Sequence, residues 1–425
     1  MLRRGGLSRL LLRVDRHSPM LVLVANLGST SFKCKLFDMT STTARSLADA
    51  IADRIGLGGS SWTVKAGERR AAGTADFPDH AAAIELHLGQ LIELGAMDDM
   101  GQLEAIGFKA VHGGTLSGAV LVDEDVLGVM EQFSDAAPQH NPAYITAMRA
   151  FAQQLPEVPQ VAAFETGFHQ TIPLARQMYG IPYEWAEKLT IRRYGFHGAS
   201  HRYIATRMSE AAPDMRRVIS CHLGGSSSIC AIRDGKSEAN SFGMTAQTGV
   251  MHSSRTGDFD TFAILKLLKS GLGLEEIWHK LGREAGLAGL SGVSSDMREV
   301  EAAADAGDKR ARLAVEAFVE SCRHYVGAYL AVLDGADALV FTGGIGQHAA
   351  NIREAICRGM TFAGIRLDPD CNRSVDGSEE ARIESPDSEV SIWIVPTNEE
   401  LIVARQTVEA LRTEPDKASM NRVRL

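Results

Sequence analysis

Two segments of the chain share one pattern, and this pattern decides how the rest is interpreted. They are ANLGSTSFKCKLFD at positions 25–38 and CHLGGSSSICAIRD at positions 221–234, and they align without a gap. Each starts in an apolar strand, passes through Leu-Gly and a run of small hydroxyl residues, and enters a second strand. Two distant copies are too few for a solenoid. The repeat therefore predicts two similar domains that face each other.

The turn in each copy has the features of an anion site. Positions 26–31 and 222–228 place a glycine, backbone N–H groups and hydroxyls at the end of a strand. Glycine lets the backbone approach a ligand, and consecutive N–H groups form an anion-binding nest. One such turn alone would be better interpreted as an ordinary hairpin turn. Two related copies favour a phosphate held between the domains.

Apolar β-branched runs alternate with helical patterns along the chain, which predicts an α/β fold. The sequence predicts strands at 21–25, 32–38, 105–111, 160–164, 217–222, 228–233, 338–341 and 390–395. It predicts helices at 81–94, 142–154, 200–211, 260–269 and 309–333.

Composition narrows the class of protein. A chain of 425 residues with 45% hydrophobic and 23% charged residues is typical of a globular protein with two domains. A net charge of −9 argues against a nucleic-acid surface. The six cysteines form no CxxC pair, which favours reduced thiols in a cytoplasmic protein. No apolar run reaches about 18 residues, so no membrane partner is expected.

The first 19 residues differ from the rest of the chain. They contain five arginines and one aspartate, and Met20 stands directly before an apolar strand. The segment has some features of a transit peptide or of a basic amphipathic tail. We expect instead that 1–19 is a basic extension upstream of the true start, and that a chain beginning at Met20 folds and binds nucleotide equally well.

Four segments carry residues suited to phosphoryl transfer. FTGGIGQHAANIR at 341–353 follows a strand and enters a helix, the kind of junction that holds a nucleotide against bare backbone. RRYGFHGASH at 192–201 and SRTGDFD at 254–260 offer arginines and histidines that could stabilise a moving phosphoryl group. PTNEE at 396–400 is either a helix start with its usual acidic residues or an oxygen-rich Mg²⁺ site.

The segments together resemble the acetate kinase family, within the acetate and sugar kinase, heat-shock and actin superfamily. The resemblance runs from about position 21 to 405. It rests on AVHGG at 110–114, HNP at 140–142, FHQTIP at 168–173, RRYGFHGASH, SGVSSDMR at 291–298, FTGGIG and PTNEEL. Seven short motifs in one order make the resemblance specific.

The resemblance implies a fold and a reaction. It implies an α/β fold of two ribonuclease-H-like, or actin-like, domains with a nucleotide cleft between them. The first domain would comprise residues 20–168 with 398–425, and the second residues 169–397. The implied reaction converts a short-chain carboxylate and ATP to an acyl phosphate and ADP with Mg²⁺ or Mn²⁺. The implied assembly is a homodimer.

The resemblance also implies roles for individual residues. The substrate carboxylate would be held by Lys109, and the catalytic residues would be Glu165, His197 and Arg255. The metal would be held by Asn26 and Glu399. The nucleotide would be bound by Ser29, Ser31, Lys33, His222, Leu223, Gly224, Gly225, Ser226, Asp296, Met297, Arg298, Gly344, Ile345, Gly346, Gln347 and His348.

Five positions depart from the family pattern. Lys109 stands where the family has Arg, and Glu165 where it has Asp. Gly225 replaces an Asn of the second phosphate loop, and Gln347-His348 replaces Glu-Asn. A lysine cannot clamp a carboxylate with two parallel hydrogen bonds as arginine does. The framework is therefore kept while the residues nearest the substrate have changed.

Three alternatives remain open from the sequence. The acid could be propionate, butyrate or another short acid, because pocket shape is not readable from the motifs. The donor could be pyrophosphate or another phosphoryl compound. The third alternative is a nucleotide-binding paralogue with weak or no kinase activity.

Overall fold

Both copies of the repeat are β-hairpins in the computed structural model, which describes residues 20–41, 44–116, 118–138 and 140–413. In the first copy, Leu21–Leu27 pairs antiparallel with Ser31–Asp38, and Asn26 lies opposite Lys33. In the second copy, Arg217–His222 pairs in the same way with Ser228–Arg233. The predicted strand–turn–strand pattern is confirmed at both places.

The first part of the chain forms an eight-stranded sheet. Its elements are β1 (Leu21–Leu27), β2 (Ser31–Asp38), β3 (Arg45–Asp53), β4 (Ser60–Ala66), β5 (Arg69–Ala75), α1 (His80–Glu93), β6 (Leu103–Ala110), β7 (Ala119–Leu121), α2 (Glu124–Gln132), α3 (Asn141–Gln154) and β8 (Gln160–Phe164). The strand order is β5-β4-β3-β2-β1-β6-β8-β7. Helices α1 and α3 cover one face, where Phe32, Phe108 and Phe151 are buried together.

The second sheet has six strands. Its part of the chain contains α4 (Leu174–Gln177), α5 (Tyr183–Lys188), α6 (Gly198–Ala211), β9 (Arg217–His222), β10 (Ser228–Arg233), β11 (Lys236–Asn240), α7 (Ala263–Lys269), α8 (Leu274–Arg283), α9 (Gly286–Ser291), α10 (Met297–Asp305), α11 (Lys309–Leu333), β12 (Ala338–Thr342), α12 (Gly343–His348), α13 (Ala350–Cys357), α14 (Pro369–Ser374), β13 (Ala381–Arg382), β14 (Ser391–Ile394) and α15 (Glu399–Arg412). The strand order is β11-β10-β9-β12-β14-β13.

The two sheets share one connectivity. Three antiparallel strands, β3-β2-β1 or β11-β10-β9, are followed by two parallel strands, β6 and β8 or β12 and β14. In open α/β sheets, ligands bind outside the carboxyl ends of the parallel strands. Asn26, Lys109 and Glu165 lie at those ends in the first sheet, and His222 and Thr342 in the second. The topology therefore brings the candidate residues of both halves toward a common region.

Helix α15 returns to the first sheet after β14 has completed the second. Its residues Val403 and Val408 pack with Val22 and Val24 of β1. A Cβ on Gly107 of β6 would lie 3.1 Å from Val403 Cγ1, so glycine lets the helix approach the strand closely. This packing supports placing residues from 398 onward with the first domain. The proposed boundaries at 168/169 and 397/398 stay a prediction.

The predicted elements are confirmed in type, with small differences in their ends. Each of the eight predicted strands and five predicted helices has a counterpart in the structure. The basic extension at 1–19 and the segment 414–425 lie outside the described residues. Five of the six free cysteines are buried, as expected of core residues. No helix in the described ranges is long and apolar enough to cross a membrane.

Candidate active site

Three charged side chains meet at the ends of the central strands of the first sheet. Lys109 is in β6, Glu165 follows β8 directly, and Glu399 is the first residue of α15. The Lys109 ammonium lies 3.5 Å from Glu165 Oε1 and forms a shorter ion pair with Glu399 Oε2. The side chains are only 19%, 6% and 14% exposed, respectively. One buried cation is thus shared by two buried carboxylates.

The pKa values in this cluster follow from burial and from the uneven charge count. Burial, reinforced by Glu399, raises the pKa of Glu165, although Lys109 lowers it. Burial also acts to raise the pKa of Glu399, but Lys109 and His222 outweigh it and the net direction is down. Burial lowers the pKa of Lys109, but the two glutamates together raise it well above its usual value. Lys109 is therefore a fixed cation.

The acidic turn at 396–400 is a helix start, and its first glutamate, Glu399, also joins the charged cluster; its part in binding Mg²⁺ stays a prediction. Asn398 caps α15, because its side chain accepts a hydrogen bond from the Leu401 N–H at 3.1 Å. Glu399 extends away from this cap to the Lys109 ammonium and lies 4.0 Å from His222 Nδ1. The acidic turn is therefore both a helix start and part of the charged cluster.

Tyr144 forms a hydrogen bond with Asn26 and lies within the electrostatic influence of this cluster. Its hydroxyl accepts a hydrogen bond from the Leu27 N–H at 3.0 Å and donates one to Asn26 Oδ1 at 3.2 Å. Burial raises its pKa, and the charges of Lys109 and Glu165 also act on it. Tyr144 lies on α3, two residues after the HNP motif, and was not predicted as a site residue. The structure places its hydroxyl against the end of β1, beside the first phosphate turn.

Histidines form the opposite side of the site. His197 precedes α6 with a left-handed φ of 56°, and its ring centroid lies 4.2 Å from that of His222. A Cβ on the next residue, Gly198, would overlap the Glu165 carbonyl, so glycine lets the two segments meet. Burial lowers the pKa of both histidines. The rings of His222 and His201, together with Lys109, lower the pKa of His197 further. Both imidazoles are neutral at physiological pH.

Arg255 supplies the second cation. One of its terminal NH groups donates a hydrogen bond to the Ala246 carbonyl. Burial lowers its pKa to about 10, which leaves it charged. Among the described residues no carboxylate pairs with it. Its charge lowers the pKa of His140 and of His197, so the three side chains lie in one electrostatic neighbourhood. His140 belongs to the HNP motif and was not predicted as a site residue.

A cavity of about 660 Å³ adjoins this group. Eight of its twelve lining residues were predicted to bind the nucleotide, and four were not. The predicted ones are Gly224, Gly225, Asp296, Met297, Arg298, Gly344, Ile345 and His348. The unpredicted ones are Ser253, Ser295, Glu301 and Ala349. Glu301 follows Met297 by one turn of α10, so the helical repeat pointed toward it.

Two glycine-rich segments hold each other in place beside this cavity. The Leu223 N–H donates to the Thr342 carbonyl at 2.8 Å, and the Leu223 carbonyl accepts from the Ile345 and Gly346 N–H groups. Arg353 is fully buried and donates to the carbonyls of Gly346 and Gln347 at 3.0 and 2.6 Å. These contacts fix the backbone that follows β9 and β12.

The remaining predicted nucleotide residues do not line the cavity. Leu223 is fully buried and packs in the core of the second sheet, and Gly346 is a buried residue of α12. His222 belongs to the histidine side of the site, and Gln347 contributes its carbonyl to Arg353. Ser226 lies in the loop between β9 and β10, and Ser29, Ser31 and Lys33 lie in the turn and strand after β1. Their part in nucleotide binding stays a prediction.

The donor set suits a hard cation that shares its ligands with phosphate. Glu399 and Asn26 offer carboxylate and amide oxygens, and the Tyr144 hydroxyl holds the Asn26 side chain by a hydrogen bond. Across the described ranges, no group of three or more His, Cys, Asp or Glu side chains is arranged to hold a metal. Mg²⁺ usually takes one or two protein oxygens and completes its shell with water and substrate phosphates. Two oxygen ligands from the protein therefore fit Mg²⁺, whereas a metal coordinated only by protein side chains would need more ligands.

Comparison with known proteins agrees with this geometry. The model of the acetokinase family matches residues 21–405. Acetate kinase of Shouchella clausii is 42% identical over 392 residues, covering 91% of this chain and 98% of that protein. Acetate kinase of Bacillus subtilis is 40% identical over 393 residues, with the same coverage of both chains.

Solved structures give the same result at the level of the fold. Porphyromonas gingivalis acetate kinase superposes with a TM-score of 0.85 at 37% identity, covering 92% of this chain and all of that one. A propionate kinase from Francisella tularensis superposes with a TM-score of 0.85 at 36% identity, covering 92% and 99% of the two chains. The chain belongs to the acetokinase family and is an acetate kinase-like phosphotransferase with a carboxyl group as acceptor.

Proposed function

We propose that this protein transfers the γ-phosphoryl group of ATP to a short-chain carboxylate, with acetate as the first candidate. The observation that carries the proposal is the loop at 222–226. It starts at the histidine side of the site and continues, through Gly224 and Gly225, into the wall of the 660 Å³ cavity. A nucleotide in the cavity would thus direct its phosphates toward the charged cluster.

The nucleotide side is built from backbone and from one charged helix start. Gly344 and Ile345 offer N-terminal backbone of α12, and Asp296 to Arg298 form the start of α10 on the facing wall. A cavity of this volume is within the usual range for a small-molecule site. A Cβ on Gly225 would meet only Ser253 Oγ, at 3.7 Å, so a larger side chain would fit at this position. The departure from the family at Gly225 therefore leaves open space beside the donor.

The chemical step asks little of a general base. A carboxylate oxygen attacks the γ-phosphorus, the bond between that phosphorus and the bridging oxygen breaks, and ADP leaves with the electron pair. The acid is already ionised, so no proton has to be removed. Catalysis then consists of positioning the reactants and neutralising charge on the transferring group. Arg255 and the neutral His197 are the proposed contacts of that group.

The substrate carboxylate is proposed to bind between Lys109 and Arg255. Lys109 is already shared by Glu165 and Glu399, so it offers only part of its charge to a third carboxylate. Arg255 has no carboxylate partner in the described ranges and is the stronger attraction for a new anion. Glu165 would hold Lys109 in place and orient the acid. This division of charge is a physical reason for a substrate preference that differs from that of relatives with Arg and Asp at these positions.

Mg²⁺ is proposed as the metal, with Asn26 and Glu399 as its protein ligands. When bound, Mg²⁺ would supply positive charge that offsets the charge of the phosphates. The charged cluster alone has one cation for two carboxylates, so it carries a net negative charge before any substrate arrives. ATP adds further negative charge. Arg255 offsets part of this negative charge, and a divalent cation would offset more of it.

A homodimer is proposed as the assembly. Helix α7 has the sequence AILKLLK, and none of its residues is buried in the single chain. Phe262, before this helix, is 76% exposed, and Trp278 on α8 is 55% exposed. Exposed apolar groups of this size mark interaction surfaces. Sedimentation should give a dimer for the native chain and a monomer for Phe262→Asp. A native chain that is monomeric at all concentrations would contradict the proposal.

The direct test of the proposed reaction is an acyl hydroxamate assay. The purified protein is incubated with hydroxylamine, one acid from formate to butyrate, and ATP, another nucleotide or pyrophosphate, each with and without Mg²⁺. We expect hydroxamate with Mg-ATP and at least one short acid. Formation with pyrophosphate alone would replace ATP as the donor. Binding of ATP without product from any acid would favour the non-catalytic paralogue.

A further inference from the structure

A chain of three buried side chains and the half-buried His197 runs from the core of the second sheet to the site. His197 Nδ1 lies 2.8 Å from Ser228 Oγ, and the same oxygen lies 2.8 Å from His201 Nε2. His201 Nδ1 in turn lies 2.9 Å from Ser220 Oγ. Ser220, Ser228 and His201 are fully buried, so none of their hydrogen bonds is shared with bulk water.

The protons in this chain can be assigned by counting. A neutral imidazole carries one N–H and one acceptor nitrogen, and each serine carries one hydroxyl proton. If the chain runs outward, Ser220 donates to His201 Nδ1, His201 Nε2–H donates to Ser228, and Ser228 donates to His197 Nδ1. Every proton and every acceptor nitrogen is then used. This leaves the His197 proton on Nε2.

The opposite direction leaves a buried group without a partner. In that case His197 Nδ1–H donates to Ser228, Ser228 donates to His201, and His201 donates to Ser220. The Ser220 hydroxyl proton then has no acceptor among the described residues. A buried polar group without a partner costs about 1–3 kcal/mol. The outward direction is therefore favoured.

We propose that Ser228, supported by His201 and Ser220, is a positioning residue that fixes His197 as the neutral tautomer with its proton on Nε2. The inference rests on the proposed function, in which His197 donates a hydrogen bond to the transferring phosphoryl group. Nε2 has no hydrogen-bond partner in the part of the chain that the structure describes. Burial lowers the pKa of both His197 and His201 well below the usual value, which agrees with neutral rings.

The tautomer matters because only one of the two ring nitrogens can meet the phosphoryl group. With the proton on Nε2, His197 donates to a phosphoryl oxygen. With the proton on Nδ1, it presents a lone pair to that oxygen and repels it. The backbone of His197 has a φ of 56°, in the sparsely populated left-handed region, so the side chain needs a contact of its own to fix the orientation of the ring. Among the described residues, the Ser228 hydroxyl is the one side-chain hydrogen-bond partner of the His197 ring.

The test combines a variant with a direct measurement of the tautomer. In the native holoenzyme, ¹⁵N NMR of labelled histidine should show His197 with its proton on Nε2, assigned by the loss of that signal in His197→Gln. Ser228→Ala should mix the two tautomers and lower kcat by about 10- to 100-fold, the usual cost of removing a partner that orients a histidine. The KM values for acid and ATP should change by less than about 2-fold, because the contact acts on the transition state. Ser220→Ala should give a smaller loss in the same direction.

Ser237→Ala is the matched control. Ser237 is also fully buried, and its Oγ also lies 2.8 Å from a histidine, His169 Nδ1, away from the charged cluster. This variant should keep the native kcat and the His197 tautomer, so any general effect of losing a buried hydroxyl is measured separately. A native His197 with its proton on Nδ1, or a Ser228→Ala variant with native kcat, would overturn the inference. If the native protein forms no acyl phosphate, the proposed function fails, while the NMR result still decides the tautomer.

Discussion

Replacing Lys109 by methionine should destabilise the protein strongly at neutral pH and less at acid pH. The substitution keeps the length and apolar stem of the side chain and removes only the ammonium. Glu165 and Glu399, which are 6% and 14% exposed, then face each other without a cation. Removing one partner of a buried ion pair costs about 3–5 kcal/mol, because the charge left behind is neither solvated nor paired.

The repulsion between the two carboxylates can also be estimated from their distance in the structure. Both carboxylates touch one ammonium, so their nearest oxygens lie within about 6 Å of each other. Two unit charges at about 6 Å repel by about 3 kcal/mol at an effective dielectric constant near 20. This agrees with the lower part of the range above. We therefore expect Lys109→Met to lower the free energy of unfolding by about 3–5 kcal/mol at pH 8.

The dependence on pH has a definite sign. Burial and Glu399 already raise the pKa of Glu165, and Lys109 is the group that opposes this rise. Without Lys109 the folded-state pKa lies further above the unfolded one, and the folded protein takes up a proton as the pH falls. The penalty is complete above the folded-state pKa and shrinks below it, by at most about 1.4 kcal/mol per pH unit.

Urea unfolding followed by circular dichroism between pH 5.5 and 8 measures both effects. Lys35→Met is the matched control, because Lys35 pairs with Asp49 at 3.0 Å on the surface, where the two side chains are 26% and 52% exposed. An exposed pair contributes about 0–1 kcal/mol. Lys109→Arg keeps the charge and should recover most of the stability. A Lys109→Met loss no larger than that of Lys35→Met, or a loss that is independent of pH, would refute the account of the cluster.

Four further predictions follow from the site and its supports. His197→Ala and Arg255→Ala should each lower kcat by about 100- to 1,000-fold with little change in the KM for the acid, in steady-state assays; an unchanged kcat would remove the residue from the proposed role. Lys109→Arg with Glu165→Asp should exceed both single variants in kcat/KM for acetate, with non-additive effects, whereas a double variant worse than an already efficient native enzyme would show that the departures are tolerated. Arg353→Lys should lower stability by about 2–4 kcal/mol and raise the KM for ATP, because a lysine cannot replace its several hydrogen bonds; a native melting temperature would contradict this. Stability should fall as the pH drops from 6.5 toward 4, because burial lowers the pKa of His87, His112 and His169 to about 4. The unfolded chain then binds more protons than the folded one. A melting temperature that stays constant across this range would contradict the prediction.

The sequence predicted the strands with continuous apolar runs and missed those without them. Strand β5 has no buried residue and lies at the edge of its sheet, so it carries no hydrophobic pattern. Strand β3 does alternate, with Ala48, Ala50 and Ala52 buried, but alanine is a poor strand former and the pattern was not taken as a strand. Local propensity could not identify these strands, because their pairing with neighbours decides them.

The sequence motifs identified most segments of the candidate site, but they did not predict the side-chain contacts between those segments. The glycine-rich segments and the start of α10 were expected to meet, and they line one cavity. The sharing of Lys109 between two glutamates was not expected, because Glu399 is 290 positions away and the sequence does not specify side-chain direction. Tyr144 and the Ser228–His201 pair were missed for the same reason. Each becomes informative only when the fold brings distant segments together.

The most direct test of the central claim is to follow the phosphoryl group itself by ³¹P NMR. The purified chain is mixed with Mg-ATP and the acid that gives most hydroxamate, and the spectrum is recorded with time, with Arg255→Ala as the reference. The account predicts that the γ-phosphorus signal of ATP falls while acyl phosphate and ADP rise in equal amounts, and that Arg255→Ala is far slower. Release of inorganic phosphate at a rate independent of the acid, or no loss of ATP in the native protein, would contradict it.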